Sequence, residues 1–262
     1  MGTKRLGQAR FETLAKSLNK RDGGIPIPVA ELNPAQWHHF FDDFHAPDFG
    51  TDLVVGGTTI AAGIANSSWD ATLASGGSLL LDIAKVGGQV KLLNDTTDND
   101  VINMQAIGAG FKFASSKKLW FEAKLNIADA SQSGYFIGLA SNSGGADPHV
   151  LAGGSGGTFI DAVGFTMVDG SVAVTHNHVV AESSNETVAT TGNTCADDTE
   201  VTLSIYWDGT NYFYYVDGTL GTSPVNTNTP DDVVVFPTIE FANRSGHANF
   251  MHVDYIRVVQ ER

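Results

Sequence analysis

The sequence contains little of what marks several common protein classes. Its 262 residues include one cysteine, Cys195, which excludes an intramolecular disulfide and a cysteine-based zinc site. Acidic neighbours in TTGNTCADD favour an inert thiol over a nucleophile. No apolar run approaches the ~20 residues that a membrane-spanning helix needs, and no apolar stretch follows the basic N-terminus as it would in a secretory signal. We therefore expect neither a membrane segment nor export by a signal peptide.

Positive charge is also scarce, and it is unevenly placed. Lys and Arg total 15 against 29 Asp and Glu, a formal net charge of −14, which argues against a nucleic-acid-binding surface. Residues 1–21 nevertheless carry six basic residues and one acid, Glu12, so this segment has a charge of +5 and the remainder −19. A basic segment ahead of an acidic body predicts an acidic partner surface, with a solvated helix face as the alternative.

Proline is infrequent (8) and glycine abundant (29), as in a sandwich with many turns. Between Thr199 and Leu220, apolar residues first alternate with polar ones, which is the period of a strand with one buried face. Asp208-Gly209 ends this run, and Asp217-Gly218 follows the aromatic run 212–216. Asp and Gly suit the tight turns of antiparallel strands, so the stretch predicts a meander.

Short β-like runs fill the chain from residue 51 onward. The candidate strands are 52–55, 58–64, 78–84, 89–93, 100–105, 110–114, 118–128, 134–141, 158–168, 171–180, 186–191, 199–207, 211–217, 232–242 and 248–259. Few helical patterns separate them, which predicts an all-β antiparallel sandwich rather than βαβ units. Two segments, 142–157 and 221–231, have the composition of surface loops.

The first 50 residues have a different pattern and are predicted as a separate arm, leaving 51–262 as the sandwich. Residues 3–20 predict an amphipathic helix, and Ile25-Pro26-Ile27-Pro28 predicts an extended linker. Residues 29–50 hold a dense group of aromatics and histidines, which predicts a short helix or loop packed against the sandwich. These side chains are Trp37, His38, His39, Phe40, Phe41, Phe44, His45 and Phe49.

No catalytic constellation stands out. A glycosidase needs two converging carboxylates, and the nearest candidate, Glu122, shares its strand face with Trp120 and Lys124, while Asp129 falls on the opposite face. The glycine-rich loop 142–157 lacks both a nucleophile elbow and a phosphate-binding motif. We therefore expect no enzyme activity and no catalytic residues.

Three weaker binding patterns remain. His176 and His178 share a strand face, a geometry for a metal or for pH sensing, although paired strand histidines are more often exposed polar residues. Asp95, Asp98 and Asp100 form an acidic cluster without the spacing of a calcium loop, so a polar turn is favoured and no metal or other cofactor is expected. The aromatic residues of the meander could stack on a sugar, although about half of them must face inward. The candidates for carbohydrate contact are Tyr206, Tyr212 and Tyr214.

Several segments, in this order, resemble the concanavalin-A/laminin-G-like jelly roll over about residues 50–262. They are LWFEAKLNIAD, GYFIGLAS, DAVGFTMVDG, TLSIYWDGTNYFYYVDGTL and FMHVDYIRVVQ. Three further segments are similar to virion structural proteins of tailed bacteriophages. They are TKRLGQARFETLAKSLNKR, NDTTDNDVINMQAIGAGFKFASSKKLWFEAKL and VDYIRVVQER. The acid-rich strand of the glucanases and the metal ligands of legume lectins are not recognisable.

The resemblance implies a capsid decoration or cement protein, assembled in the host cytoplasm and located on the virion. Its expected partners are the major capsid protein and further copies of the chain, as in a trimer. The residues expected to make the attachment are Lys4, Arg5, Leu6, Arg10, Phe11, Leu14, Lys16, Leu18, Lys20 and Arg21. The alternative is a carbohydrate-binding module of a phage tail fibre or spike.

Overall fold

The computed structural model describes residues 37–44, 69–73, 76–82, 88–97, 100–106, 108–141, 160–167, 174–183, 185–221, 227–243 and 246–262. The predicted helix over 3–20, all ten attachment residues and the loop 142–157 lie outside these residues. The predicted strands 52–55 and 58–64 lie outside them as well. Within the described part, no helix has the length and apolar character to cross a membrane.

Fifteen strands of the described residues form two antiparallel sheets. Sheet A has the order β13-β12-β11-β6-β15-β4-β3, with β1 also paired to β15, and sheet B has the order β10-β9-β8-β7-β14-β5-β2. The strands are β1 Trp37–Asp42, β2 Trp69–Leu73, β3 Ser78–Leu81, β4 Val90–Asn94, β5 Val101–Ala106, β6 Leu119–Ile127, β7 Ser133–Ser141, β8 Ala162–Met167, β9 Thr175–Glu182, β10 Asn185–Thr194, β11 Val201–Trp207, β12 Tyr212–Val216, β13 Thr219–Leu220, β14 Val235–Asn243 and β15 Asn249–Glu261. A short 3-10 turn, Ala130–Gln132, joins β6 to β7.

The core lies between the two sheets and follows the alternation of the strands. On β6 the side chains of Phe121, Ala123 and Leu125 point inward, and Tyr135, Ile137 and Leu139 of β7 meet them from the other sheet. All are at most 2% exposed. Burial of these apolar faces is the main force that holds the sheets together.

The meander predicted from Thr199 to Leu220 is confirmed as β11, β12 and β13. Gly209, Asp217 and Gly218 all have positive φ (98°, 49° and 75°), as the two tight turns require. The Asp208 carboxylate accepts hydrogen bonds from the backbone N–H groups of Thr210 and Asn211, both at 2.8 Å. The predicted strand over 110–114 is wrong in extent, because Phe111 makes only an isolated bridge to Val235.

The prediction of a short helix or loop around Trp37 is wrong. Trp37–Asp42 is strand β1, which pairs with β15 from Trp37 opposite Glu261 to Asp42 opposite Ile256. Phe40 and the fully buried Phe44 pack on the Trp69 ring, and Asp42 accepts a hydrogen bond from the Trp69 indole N–H at 2.7 Å. The boundary predicted between residues 50 and 51 therefore assigns a sandwich strand to the arm.

Two glycines create a close approach on the outer face of sheet B. Gly138 of β7 and Gly164 of β8 lie opposite each other, and the Phe136 ring lies over both. A Cβ on Gly138 would lie 2.4 Å from the Val163 carbonyl oxygen, and one on Gly164 would lie 2.5 Å from the Phe136 ring. On this part of the outer face of sheet B, two glycines consequently make room for one aromatic ring.

Two histidines lie inside the core at one end of the sandwich. His178 of β9 is fully buried and stacks on Tyr214 of sheet A, with ring centroids 3.7 Å apart, and neither ring nitrogen has a hydrogen-bond partner among the described residues. The Nδ1 atom of His176 lies 2.6 Å from the Tyr135 hydroxyl oxygen. Burial lowers the pKa of His178 to about 3 and that of His176 to about 4. The expectation that paired strand histidines are exposed is therefore wrong.

We predict that substitution of Gly138 by Ala destabilises the fold by about 2–3 kcal/mol, because the added methyl group meets backbone atoms of β8 that cannot move aside. Gly110 is the matched control, since a Cβ there first meets the side chain of Val234, which is 48% exposed. Urea unfolding of both variants measures the difference. Equal stabilities would contradict the close packing of β7 on β8.

We predict that the free energy of unfolding falls as the pH decreases below about 6.5. The native histidines have pKa values well below the unfolded value of about 6.5, so only the unfolded state takes up protons in this range. At pH 5, His178 alone should lower stability by roughly 2 kcal/mol. Urea unfolding at several pH values between 4 and 7 measures the free energy of unfolding. For His178→Phe this free energy should change less steeply with pH than for the wild type. An unchanged pH dependence would show that His178 has the same pKa in the folded and unfolded states.

Candidate functional site

The outer face of sheet A carries two adjacent rows of side chains that cross five neighbouring strands, β12, β11, β6, β15 and β1. The first row is Phe213, Tyr206, Trp120, Val259 and His39. The second row is Tyr215, Ser204, Glu122, Arg257 and Phe41. These ten residues are called the platform below. Its first row is largely aromatic, and its second row carries a carboxylate, a guanidinium and a hydroxyl side by side.

The aromatic part of the platform is centred on Trp120, which is fully buried. The rings of Tyr206 and Tyr215 lie 6.1 and 6.0 Å from the Trp120 ring, and Phe213 stacks on Tyr206 at 6.1 Å. Trp37, two residues before His39 on β1, also packs against this group. Among the described residues, the indole N–H of Trp120 has no hydrogen-bond acceptor. The half-buried rings around Trp120 form an apolar surface with hydroxyl groups at its margin.

The polar part of the platform is organised around Glu122, which is 7% exposed. Its carboxylate accepts hydrogen bonds from the Tyr255 hydroxyl at 2.9 Å and from the Ser204 hydroxyl at 3.4 Å. Arg257 stands directly opposite Glu122 in the β6–β15 pair. The Tyr255 and Ser204 hydroxyls hold the carboxylate in one orientation beside the aromatic row.

Charges at the margin of the platform are paired or close to acids. The Lys124 ammonium contacts Glu200 at 2.8 Å and Asp254 at 3.1 Å, and the hydrogen bond that it donates to Glu200 raises the pKa of Lys124. Burial, and then the nearby charges of Asp208 and Glu261, raise the pKa of Tyr206. The Tyr206 hydroxyl therefore remains protonated at neutral pH and can donate or accept a hydrogen bond.

The structure divides the three predicted carbohydrate contacts between the two faces of sheet A. Tyr206 lies on the outer face, in the platform. Tyr212 and Tyr214 point into the core and are 0% and 2% exposed, so the prediction of surface contact is wrong for both. The outward side chains of β12 are Phe213 and Tyr215 instead. The run YFYYV has no polar–apolar contrast, so only the pairing with β11 reveals which rings face outward.

Glu122 occupies the strand face predicted for it, with Trp120 and Lys124 beside it. The second carboxylate considered, Asp129, caps the 3-10 turn by accepting the Ser131 N–H at 3.1 Å, so it does not join Glu122. Glu122 is the one carboxylate among the ten platform residues. The platform alone therefore lacks the carboxylate pair of a glycosidase.

The sequence contains two candidate metal patterns, the pair His176 and His178 and the cluster Asp95, Asp98 and Asp100. No group of three His, Cys, Asp or Glu side chains suited to a metal occurs among the described residues, and His176 and His178 are core residues. Asp95 accepts the Thr97 N–H at 2.6 Å, as in a polar turn, and Asp98 lies outside the described residues. Burial, and then the nearby Asp95, raise the pKa of Asp100.

Cys195 is buried, and burial together with Asp197 raises the pKa of its thiol to about 11. The thiol is therefore protonated at neutral pH, as expected for an inert cysteine.

Sheet B holds a buried carboxylate that sequence reasoning missed. Glu240 of β14 is fully buried and accepts a hydrogen bond from the Asn103 side chain at 2.5 Å. Its neighbours on the same outer face are small or neutral, including Ala162, Gly164 and Thr166 at alternate positions of β8. The apolar run around Glu240 in FPTIEFAN offered the only sequence signal, a lone acid inside a strand.

No protein-family model and no curated protein match the chain. Solved structures do match. A non-specific endo-β-1,3(4)-glucanase from family GH16, SCLam, has a TM-score of 0.56 at 13% identity, covering 87% of this chain and 93% of that chain. A protein of unknown function from Shewanella oneidensis MR-1 has a TM-score of 0.54 at 12% identity, covering 100% and 96%. The Emp47p carbohydrate recognition domain has a TM-score of 0.52 at 9% identity, covering 74% and 88%.

At these identities the likeness concerns the fold. The two-sheet topology and these neighbours agree, and the predicted fold class is confirmed: the chain is an antiparallel jelly-roll sandwich of the concanavalin-A-like type.

Proposed function

We propose that the chain is a glycan-binding jelly-roll module and that the platform on sheet A is its binding surface. The observation that carries the proposal is the juxtaposition of an aromatic row with a polar row at adjacent positions of the same five strands. Sugar rings have apolar C–H faces bordered by hydroxyl groups. The aromatic rings of the first row complement the C–H faces. The carboxylate, guanidinium and hydroxyl groups of the second row complement the sugar hydroxyl groups.

The support is strongest where Tyr206 and Phe213 of the first row lie near Glu122 of the second row. Tyr206 and Phe213 are half-buried and stacked, which leaves ring surface available at little cost in side-chain entropy. Glu122 is already oriented by Tyr255 and Ser204, so a bound hydroxyl would meet a preorganised acceptor. That solved neighbours include a glucanase and a carbohydrate recognition domain is compatible with this role.

We also infer that the module binds without cleaving. Hydrolysis of a glycosidic bond needs an acid and a second carboxylate on opposite sides of the bond. Within the platform Glu122 faces Arg257 instead of a second acid, and its hydrogen bonds suit a recognition role.

We predict that Tyr206→Ala and Phe213→Ala each weaken glycan binding about tenfold, because each removes ring surface from the first row. A glycan array with the full chain identifies the ligand, and titration calorimetry with that ligand measures the loss. Phe250→Ala is the matched control: Phe250 is also a half-buried ring on β15, but it lies against Lys91, which is 3.8 Å from its centroid.

Two results would contradict this function. No reproducible binding on an array that includes bacterial surface polysaccharides would remove the glycan role. Cleavage of the bound glycan that disappears in Glu122→Gln would replace binding by catalysis.

A second candidate function is supported by the distribution of charge. We propose that the chain is a capsid decoration protein of a tailed bacteriophage, bound to the major capsid protein through its N-terminal segment. Six basic residues within residues 1–21 precede a body with a net charge of −19, so the segment is repelled neither by an acidic capsid surface nor by its own body. A decoration protein could also carry a glycan-binding sandwich, so the two proposals are compatible.

We predict that deletion of residues 1–24 abolishes binding to capsids, because it removes all ten attachment residues. Sedimentation of purified particles with the full and shortened chains measures occupancy. Replacement of Lys4, Arg5, Arg10, Lys16, Lys20 and Arg21 by Gln should reduce binding in a salt-dependent manner while Leu6, Phe11, Leu14 and Leu18 remain. Unchanged occupancy after the deletion would contradict attachment through this segment.

A further inference from the structure

Strand β10, Asn185–Thr194, ends sheet B and is the longest terminal strand of either sheet among the described residues. The other terminal strands are shorter: β1, which pairs only with β15, has six residues, β2 five, β3 four and β13 two. β10 pairs with β9 on one side, and no described backbone group hydrogen-bonds to its other edge. Half of its N–H and C=O groups therefore point away from the sheet.

The first six residues of β10, Asn185–Thr190, carry no Lys, no Pro and no bulge, three features that usually protect a sheet edge from pairing with another strand. Natural edges carry Lys or Pro, are short, or are bent by a bulge. The sequence NETVATTGNT contains neither Lys nor Pro, and its first six residues pair regularly with β9 before the register shift between Thr190 and Thr194. Thr and Val favour strand structure, and Val188 is 50% exposed.

Side-chain hydrogen bonds hold this segment in place. The Thr187 hydroxyl accepts a bond from the Asn228 side chain at 3.0 Å and lies 3.1 Å from the Thr227 hydroxyl. The Thr190 hydroxyl donates to the Asn177 side-chain oxygen at 2.7 Å. The edge of β10 that pairs with no described strand is therefore preorganised, so pairing needs little further loss of entropy.

We propose that β10 pairs antiparallel with β10 of a second copy, so that two B sheets join into one continuous sheet. A two-fold axis at Val188 would place the two Val188 side chains opposite each other and cover the most exposed apolar residue of the strand. Glu186, the single charged residue of β10, would then stand opposite Thr190 of the second copy, roughly 14 Å along the strand from the other Glu186. The pairing thus buries the valines without bringing like charges together.

This interface closes with two copies, because an isologous pair uses the same edge of both partners and leaves no second β10 edge free. It differs in this respect from the trimer implied by the resemblance to virion proteins.

The test uses the full chain in sedimentation velocity over a dilution series. We expect the wild type to have the mass of two chains and Val188→Lys to shift to one chain, with at least a tenfold weaker dimer, because the two ammonium groups would face each other. Val234→Lys is the matched control, since Val234 is 48% exposed but lies outside β10. It should remain dimeric.

A second variant keeps the proposal falsifiable if Val188→Lys folds poorly. Val188→Cys should form an intermolecular disulfide under mild oxidation, whereas Val234→Cys should not, and the buried native Cys195 should not interfere. A monomeric wild type, a trimer, or a dimer that persists in Val188→Lys while Val188→Cys forms no cross-link would overturn the proposal. A monomer that pairs through β10 with a different protein would overturn it in the same way.

Discussion

The antiparallel pairing of β6 with β15 at the centre of sheet A is the constraint on which the rest of the structure depends. One face of this pair supplies core residues, and the other supplies the middle of both platform rows. β15 also holds β4 and β1 along its opposite edge, so both ends of the described chain meet there. Any change of register between β6 and β15 would move Trp120 and Glu122 away from Val259 and Arg257.

A bulge between Val253 and Tyr255 allows β15 to supply residues both to the core and to the platform. Before it, Met251 and Val253 point into the core, and after it Ile256 and Val258 do so. The extra residue changes the phase of the alternation and leaves Tyr255 and Arg257 on the outer face. Without the bulge, the Tyr255 hydroxyl could not reach Glu122, and the guanidinium of Arg257 would enter an apolar core at a large desolvation cost.

The two faces of sheet A show how the same residue types acquire different roles. Tyr214 stacks on a buried histidine, whereas Tyr215, the next residue, packs beside Trp120 on the outer face. The core tolerates His178 because burial lowers the pKa of its ring, which stays neutral, so no charge is buried. The platform instead places a carboxylate, Glu122, directly opposite a guanidinium, Arg257, on neighbouring strands. The proposed recognition surface is therefore on the outer face of sheet A.

By itself the sequence determined the fold class, the turn-bounded meander and the inner face of most strands, because period-two alternation and Asp-Gly turns are local signals. Only the tertiary structure decided which aromatic residues of YFYYV face outward, that Trp37–Asp42 is a strand, and that His176 and His178 are buried. Each of these depends on pairing with a strand far away in sequence. A run without polar contrast leaves its orientation undetermined until a neighbouring strand fixes its register.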